Sequence, residues 1–139
     1  METERRFVCD TNVIISAFLL PNSVAAQTFR KLRKQGKLLL SFPISDELED
    51  VIRRKKFDRY ATPEARLQFL KTIIQEAIFI EITVSVNDCR DLRDNKFLEL
   101  ALSGQAECII SGDDDLLVLH PYKGVRIINP RTFLDEETP

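Results

Sequence analysis

The chain has no tryptophan, one histidine, one methionine and four glycines among its 139 residues. With only His120 to draw on, neither a zinc site nor a Ser-His-Asp triad finds the residues it needs. The three cysteines, Cys9, Cys89 and Cys108, are odd in number, far apart and outside any C-x-x-C spacing. That pattern predicts buried thiols in a reducing compartment and no disulfide frame. No apolar run approaches ~18 residues, so no helix of membrane-spanning length is expected. The opening Met1-Glu2-Thr3-Glu4-Arg5-Arg6 lacks the basic-then-apolar order of a signal peptide. A cytoplasmic protein with no membrane partner is the expectation. Few glycines, six prolines and no Ser- or Gln-rich tract leave no room for a long disordered linker. One domain over 1–139 is expected.

What is present is charge, unevenly placed. Twenty basic residues against 22 acidic ones give a net −2, which excludes a strongly basic arm and a polyacidic tail alike. Between Arg30 and Arg59, however, ten residues are basic and five acidic. Between Asp88 and Asp115 the balance reverses, with eight acidic and three basic. A basic shelf and an acidic pocket can coexist in a chain that is neutral on average.

Hydrophobic spacing alternates strand and helix. Residues 6–10 read as a strand ending in a carboxylate, and 13–20 as a helix stopped by Pro21. Asn22-Ser23 caps a second helix through Lys34, ended by Gly36. The apolar run 38–42 is of buried-strand type, and Ser45 opens a helix running into Arg53-Arg54-Lys55-Lys56. Thr62-Pro63-Glu64 starts a helix to about Glu76, 78–86 is strand-like, and 95–103 is helical. Strands follow at 108–110 and 126–128. This order predicts an α/β fold, a parallel sheet with helices on both faces.

The acids fall where such a sheet binds ligands. Asp10 ends the first strand, Asp113, Asp114 and Asp115 follow the strand 108–110, Glu47 sits in the first turn after the second strand, and Asp94 starts the helix 95–103. Strand ends and helix starts of successive βα units share one edge, the ligand edge of open parallel sheets. Each acid alone has a plainer reading: a turn for Asp10, a helix dipole partner for Glu47, caps for Asp94 and for Asp113 or Asp114. Their recurrence along the whole chain is better explained by one acidic pocket. Clustered carboxylates repel unless a cation neutralises them, and the hard oxygen set suits Mg²⁺ or Mn²⁺, one or two ions. Such ions activate water against a phosphodiester, with no histidine required.

The residues also resemble a known family. Phe7-Val8-Cys9-Asp10-Thr11-Asn12 looks like the strand–Asp-Thr-Asn opening of PIN-domain nucleases, which include the VapC-type toxins. Cys89-Arg90-Asp91-Leu92-Arg93-Asp94-Asn95-Lys96-Phe97-Leu98-Glu99-Leu100-Ala101 is similar to a signature of its toxin-component subfamily. So are Cys108-Ile109-Ile110-Ser111-Gly112-Asp113-Asp114-Asp115 and Ile127-Ile128-Asn129-Pro130-Arg131-Thr132-Phe133-Leu134. The match runs from Phe7 to Leu134 with the motifs in order. Leu92 and Ser111 stand where the subfamily usually has Pro and Thr; neither change removes a ligand.

The resemblance implies a three-layer α/β/α fold with a five-stranded parallel sheet. It implies metal ligation by Asp10, Glu47, Asp94 and Asp113, with Asp115 near a second ion or a water. It assigns Asn12 and Ser111 to orienting the first acid and ligand waters. Asp91, three residues before Asp94, stays open as the third acid. The implied activity is endoribonuclease hydrolysis by the toxin of a type II toxin–antitoxin pair, with an antitoxin partner and a homodimer or higher homo-oligomer. The alternative is a catalytically silent PIN-like module that binds RNA or a protein. Arg30, Lys34, Arg53, Arg54, Lys55 and Lys56 are the candidate RNA contacts, and the scarcity of aromatics nearby favours backbone or shape recognition of structured RNA. Setting aside the five candidate site acids leaves a remainder of +3, so near-zero net charge does not exclude a nucleic-acid substrate.

Overall fold

A computed structural model describes residues 4–137. Five strands form one parallel sheet: β1 (Arg5–Cys9), β2 (Gly36–Leu40), β3 (Ile78–Phe79), β4 (Cys108–Ile110) and β5 (Arg126–Ile128), in the spatial order β3-β2-β1-β4-β5. The α-helices are α1 (Thr11–Leu19), α2 (Val24–Gln35), α3 (Phe42–Ile52), α4 (Pro63–Glu76), α5 (Asn95–Ser103), α6 (Asp114–Leu117) and α7 (Pro130–Asp135). The expected α/β fold with a central five-stranded parallel sheet is observed. Chain order leaves β1 toward β2 on one side, and β4 fills its other side. The boundary between β1 and β4 is therefore the topological switch point, where a crevice opens beyond the strand ends.

The strands are short and buried on both faces, as parallel strands between helices must be. Phe7, Val8, Leu40, Cys108, Ile109 and Ile110 are all fully buried. Helices α1 and α7 pack on α2, with Phe133 of α7 edge-on to Phe7 at 5.3 Å, while α5 crosses β1, β2 and β4. All three cysteines are free and buried, as expected. No single helix among the described residues is long and apolar enough to cross a membrane.

Capping residues set most helix starts. Ser23 accepts the Ala26 amide and Thr62 that of Ala65, each at 3.1 Å, with Pro63 at the first helical position. Gly36 ends α2 without a left-handed turn: its φ is −176°, and a Cβ there would run into the Arg5 carbonyl of β1. Its smallness serves close strand approach.

Two expectations are corrected and one helix is added. Phe42 does not close a buried strand; it opens α3, with Pro43 in the first turn, and is 77% exposed. Helix α3 therefore begins three residues before Ser45, and Glu47 falls in its second turn. The strand expected over 78–86 pairs only at Ile78 and Phe79, and Ile80 donates a last bond to Leu40. The reason is that β2 stops at Leu40, so the chain beyond has no strand to pair with. Helix α7, not foreseen as a helix, is started by Asn129, whose Oδ1 accepts the Thr132 amide at 2.7 Å.

Candidate active site

Strand β1 ends at Cys9, and the next residue turns the chain into α1. Asp10 is that residue, and its Oδ1 caps the helix by accepting the Val13 amide at 2.8 Å. Its Oδ2 accepts from the hydroxyl of Ser111, which follows β4. Ser111 is fully buried and in turn accepts the Asp113 amide at 2.9 Å. One hydroxyl thus ties the ends of β1 and β4 across the switch point. Burial pushes the Asp10 carboxyl above the usual carboxylate range, against the hydrogen bonds that hold it down.

The cleft above these strand ends has a volume of about 520 Å³. Six acids line it: Asp10, Glu47, Asp50, Asp91, Asp94 and Asp113. Three cations line it as well, namely Arg54, Arg93 and Lys96. Each cation is taken by one acid: Arg54 with Asp50 at 3.4 Å, Arg93 with Asp91 at 3.1 Å, and Lys96 with Glu47 at 3.1 Å. Asp10, Asp94 and Asp113 are left without an ion-pair partner among the described residues.

Asp94 differs from a simple cap. It precedes α5 but makes no side-chain capping bond, and its Oδ2 is buried with no hydrogen-bond partner among the described residues. Burial first, and then the neighbouring Asp113 carboxyl, push its pKa up to about 7. Asp91 has the opposite surroundings: Arg93 donates to it from the backbone amide and the guanidinium, which holds its carboxyl below the usual range. Of the two alternatives for a third acid, Asp94 is the one with a free buried oxygen facing another carboxyl.

Other expected site residues are placed as follows. Asn12 is exposed and lines the cleft. Asp115 does not line it; its Oδ1 pairs with Arg90 at 3.1 Å and its amide donates to Asp113 Oδ1. Arg53, Arg54, Lys55 and Lys56 are exposed on the turn after α3, and only Arg54 reaches the cleft lining. Lys34, near the C-terminal end of α2, lies close to the start of β2, the edge of the sheet opposite the cleft. Arg30 donates to the Pro21 carbonyl at 3.2 Å. The basic shelf is therefore two separate surfaces.

Three residues at the site were missed. Thr11 is buried and donates to Glu47 Oε2 at 2.9 Å. Asn95 accepts the Cys89 amide at 2.9 Å and donates to the Leu92 carbonyl, closing the loop that carries Asp94. Lys96 is the third, and it had a legible signal: a lysine in the first turn of a helix opposes the helix dipole unless it has a partner.

The donors left free are all carboxylate oxygens, the set that suits a hard divalent ion, and the buried Asp94 Oδ2 has no hydrogen-bond partner among the described residues. Among the described residues no three acidic groups already stand close enough together to share one ion. That spacing is compatible with Mg²⁺-type binding, in which a few carboxylates are supplemented by several waters.

A family model described as PIN domain matches residues 6–115. The chain belongs to the PIN domain family. PIN domains are in general nucleases, and the match spans Asp10, Glu47, Asp94 and Asp113. The chain is 30% identical to the uncharacterized protein MJ1680 of Methanocaldococcus jannaschii, over 94% of this chain and 90% of that protein. In fold, this PIN domain is similar to a structure of VapBC2 from Rickettsia felis bound to a DNA fragment from their promoter. The TM-score is 0.61 at 12% identity, covering 89% of this chain and 98% of that one.

Proposed function

We propose that this PIN domain is a Mg²⁺- or Mn²⁺-dependent endoribonuclease and the toxin of a type II toxin–antitoxin pair. The observation that carries the reading is the three carboxylates at the switch point, Asp10, Asp94 and Asp113, that no cation among the described residues pairs with. These three would hold the ion, with Glu47 on the facing wall. A divalent ion bound there supplies an activated water and neutralises charge on the phosphoryl group being transferred.

The chain's own residues do the positioning. Ser111 and the Val13 amide hold the Asp10 carboxylate from two sides, so it is oriented before any ligand arrives. Asn95 fixes the loop before α5, which aims Asp94 at Asp113. Arg54, which lines the cleft, would meet a backbone phosphate. The hydrolysis adds a water oxygen to phosphorus and breaks the P–O3′ bond, leaving 5′-phosphate and 3′-hydroxyl ends. RNA as the substrate and an antitoxin as the partner follow from the family resemblance; the likeness in fold to VapBC2 adds support for the partner alone. A homodimer in the cytoplasm completes the proposal.

The test is RNA cleavage by wild type and Asp10→Asn, with Mn²⁺ and with EDTA. Cleavage that needs both the metal and Asp10 supports the reading, and cleavage that survives their loss overturns it. RNA binding without any cleavage by wild type in Mn²⁺ would favour the silent module.

A further inference from the structure

We propose that Lys96 is a catalytic cation of this cleft, supplying the positive charge that a two-ion phosphodiesterase draws from its second metal, with Glu47 as its positioning residue. The inference rests on the metal-dependent reading above and narrows its one or two ions to one.

Of the three cations lining the cleft, Lys96 is the most withdrawn from solvent. Its side chain is 18% exposed, against 51% for Arg54 and 86% for Arg93. Its ammonium is held from two sides, by Glu47 Oε2 at 3.1 Å and by the Arg93 carbonyl. An ammonium has three donors, so one remains for an anionic oxygen in the cleft. Glu47 Oε2 accepts from Thr11 as well, at 2.9 Å. That carboxylate oxygen is committed to protein partners, in contrast to the orphaned Asp94 Oδ2.

The charge count leads to the same place. With Glu47, Asp50 and Asp91 paired, only Asp10, Asp94 and Asp113 call for a cation, and one divalent ion meets most of their charge. A second ion on Glu47 Oε2 would have to displace Lys96. A lysine fixed in a partly dry cleft stabilises charge on the non-bridging phosphate oxygens without reorganising during the reaction. Lys96 contributes charge alone; the O3′ leaving group takes one proton of the attacking water through solvent.

The experiment pairs Mn²⁺ titration calorimetry with steady-state RNA cleavage for wild type, Lys96→Met, Lys96→Arg and Glu47→Gln. Wild type is expected to bind one Mn²⁺. Lys96→Met is expected to lose about 100-fold in kcat with little change in KM, and Lys96→Arg to regain part of the rate. Glu47→Gln is expected to lose rate as Lys96→Met does while keeping its Mn²⁺ affinity within about fivefold. Two ions on wild type, undiminished kcat in Lys96→Met, or a larger affinity loss in Glu47→Gln overturns the role of Lys96 and leaves the metal-dependent reading standing. Wild-type cleavage that persists in EDTA overturns both.

Discussion

The Ser111 hydroxyl donates to the Asp10 carboxylate across the boundary between β1 and β4, joining two residues 101 positions apart in the chain. Because Ser111 also accepts the Asp113 amide, it sets the relative placement of two acids at once. Ser111→Ala removes a hydrogen bond to a buried charge, a loss of about 1.5–3 kcal/mol. Urea unfolding should show that loss, and cleavage should fall with it. Ser111→Thr should restore both, since the hydroxyl is kept. Wild-type stability in the alanine variant would mean the hydroxyl is not the link.

Asp10→Asn separates stability from activity. The carboxylate is buried and its proton affinity raised, so its charge works against the metal-free fold. The amide keeps an acceptor for Val13. Thermal unfolding in EDTA should show a Tm equal to or above wild type, while Mn²⁺-supported cleavage drops by about 100-fold or more. A variant that is destabilised and still active contradicts both halves.

Asp94 makes metal-free stability depend on pH. Its folded pKa of about 7 lies above the ordinary carboxylate value, so the folded chain holds a proton that the unfolded chain has released. The stability this contributes is full below about pH 4 and is lost as pH rises through about 7. Urea midpoints in EDTA should therefore fall between about pH 5 and 8, and Asp94→Asn should flatten the trend. A wild-type midpoint that climbs over that range, or a slope unchanged in the variant, refutes the assignment.

Arg66 anchors the basic turn. Its buried guanidinium, on α4, donates to the carbonyls of Ile52, Arg54 and Thr62 and pairs with Asp58. Arg66→Ala leaves several of these acceptors unmet in a void, a loss on the order of 3 kcal/mol. Lysine cannot replace the fork, so Arg66→Lys should recover little. Denaturant midpoints measure both variants.

The two halves of the basic shelf should behave differently. Arg53→Ala/Arg54→Ala, at the cleft end, should weaken RNA binding and shallow its salt dependence, by about 0.7 in log–log slope per lost single-strand phosphate contact. Lys34→Ala, near the opposite sheet edge, should leave both unchanged. Equal effects at the two places would mean the RNA path is not the cleft rim.

Much of this architecture is legible in the chain itself. The strand cores at Phe7-Val8, Leu39-Leu40 and Cys108-Ile109-Ile110 are apolar runs that can only be buried, and Thr62-Pro63 and Ser23 mark helix starts through backbone bonding that is local. Asp10, Asp94 and Asp113 could be selected because strand ends and helix starts of a parallel sheet share an edge whatever the details. Non-local facts were out of reach. Where β2 stops decided how much of 78–86 could pair. Which sheet edge a basic run faces depends on helix direction, which separated Lys34 from Arg54. The partner of each charge, Lys96 for Glu47 and Arg93 for Asp91, depends on three-dimensional distance, because Coulomb attraction and hydrogen bonding fall off over a few ångströms and not over residues. The sequence by itself determined a nearly neutral chain with a concentrated acidic set; the tertiary structure decided that, of the six acids lining the cleft, three are paired with the chain's own cations and three have no ion-pair partner among the described residues.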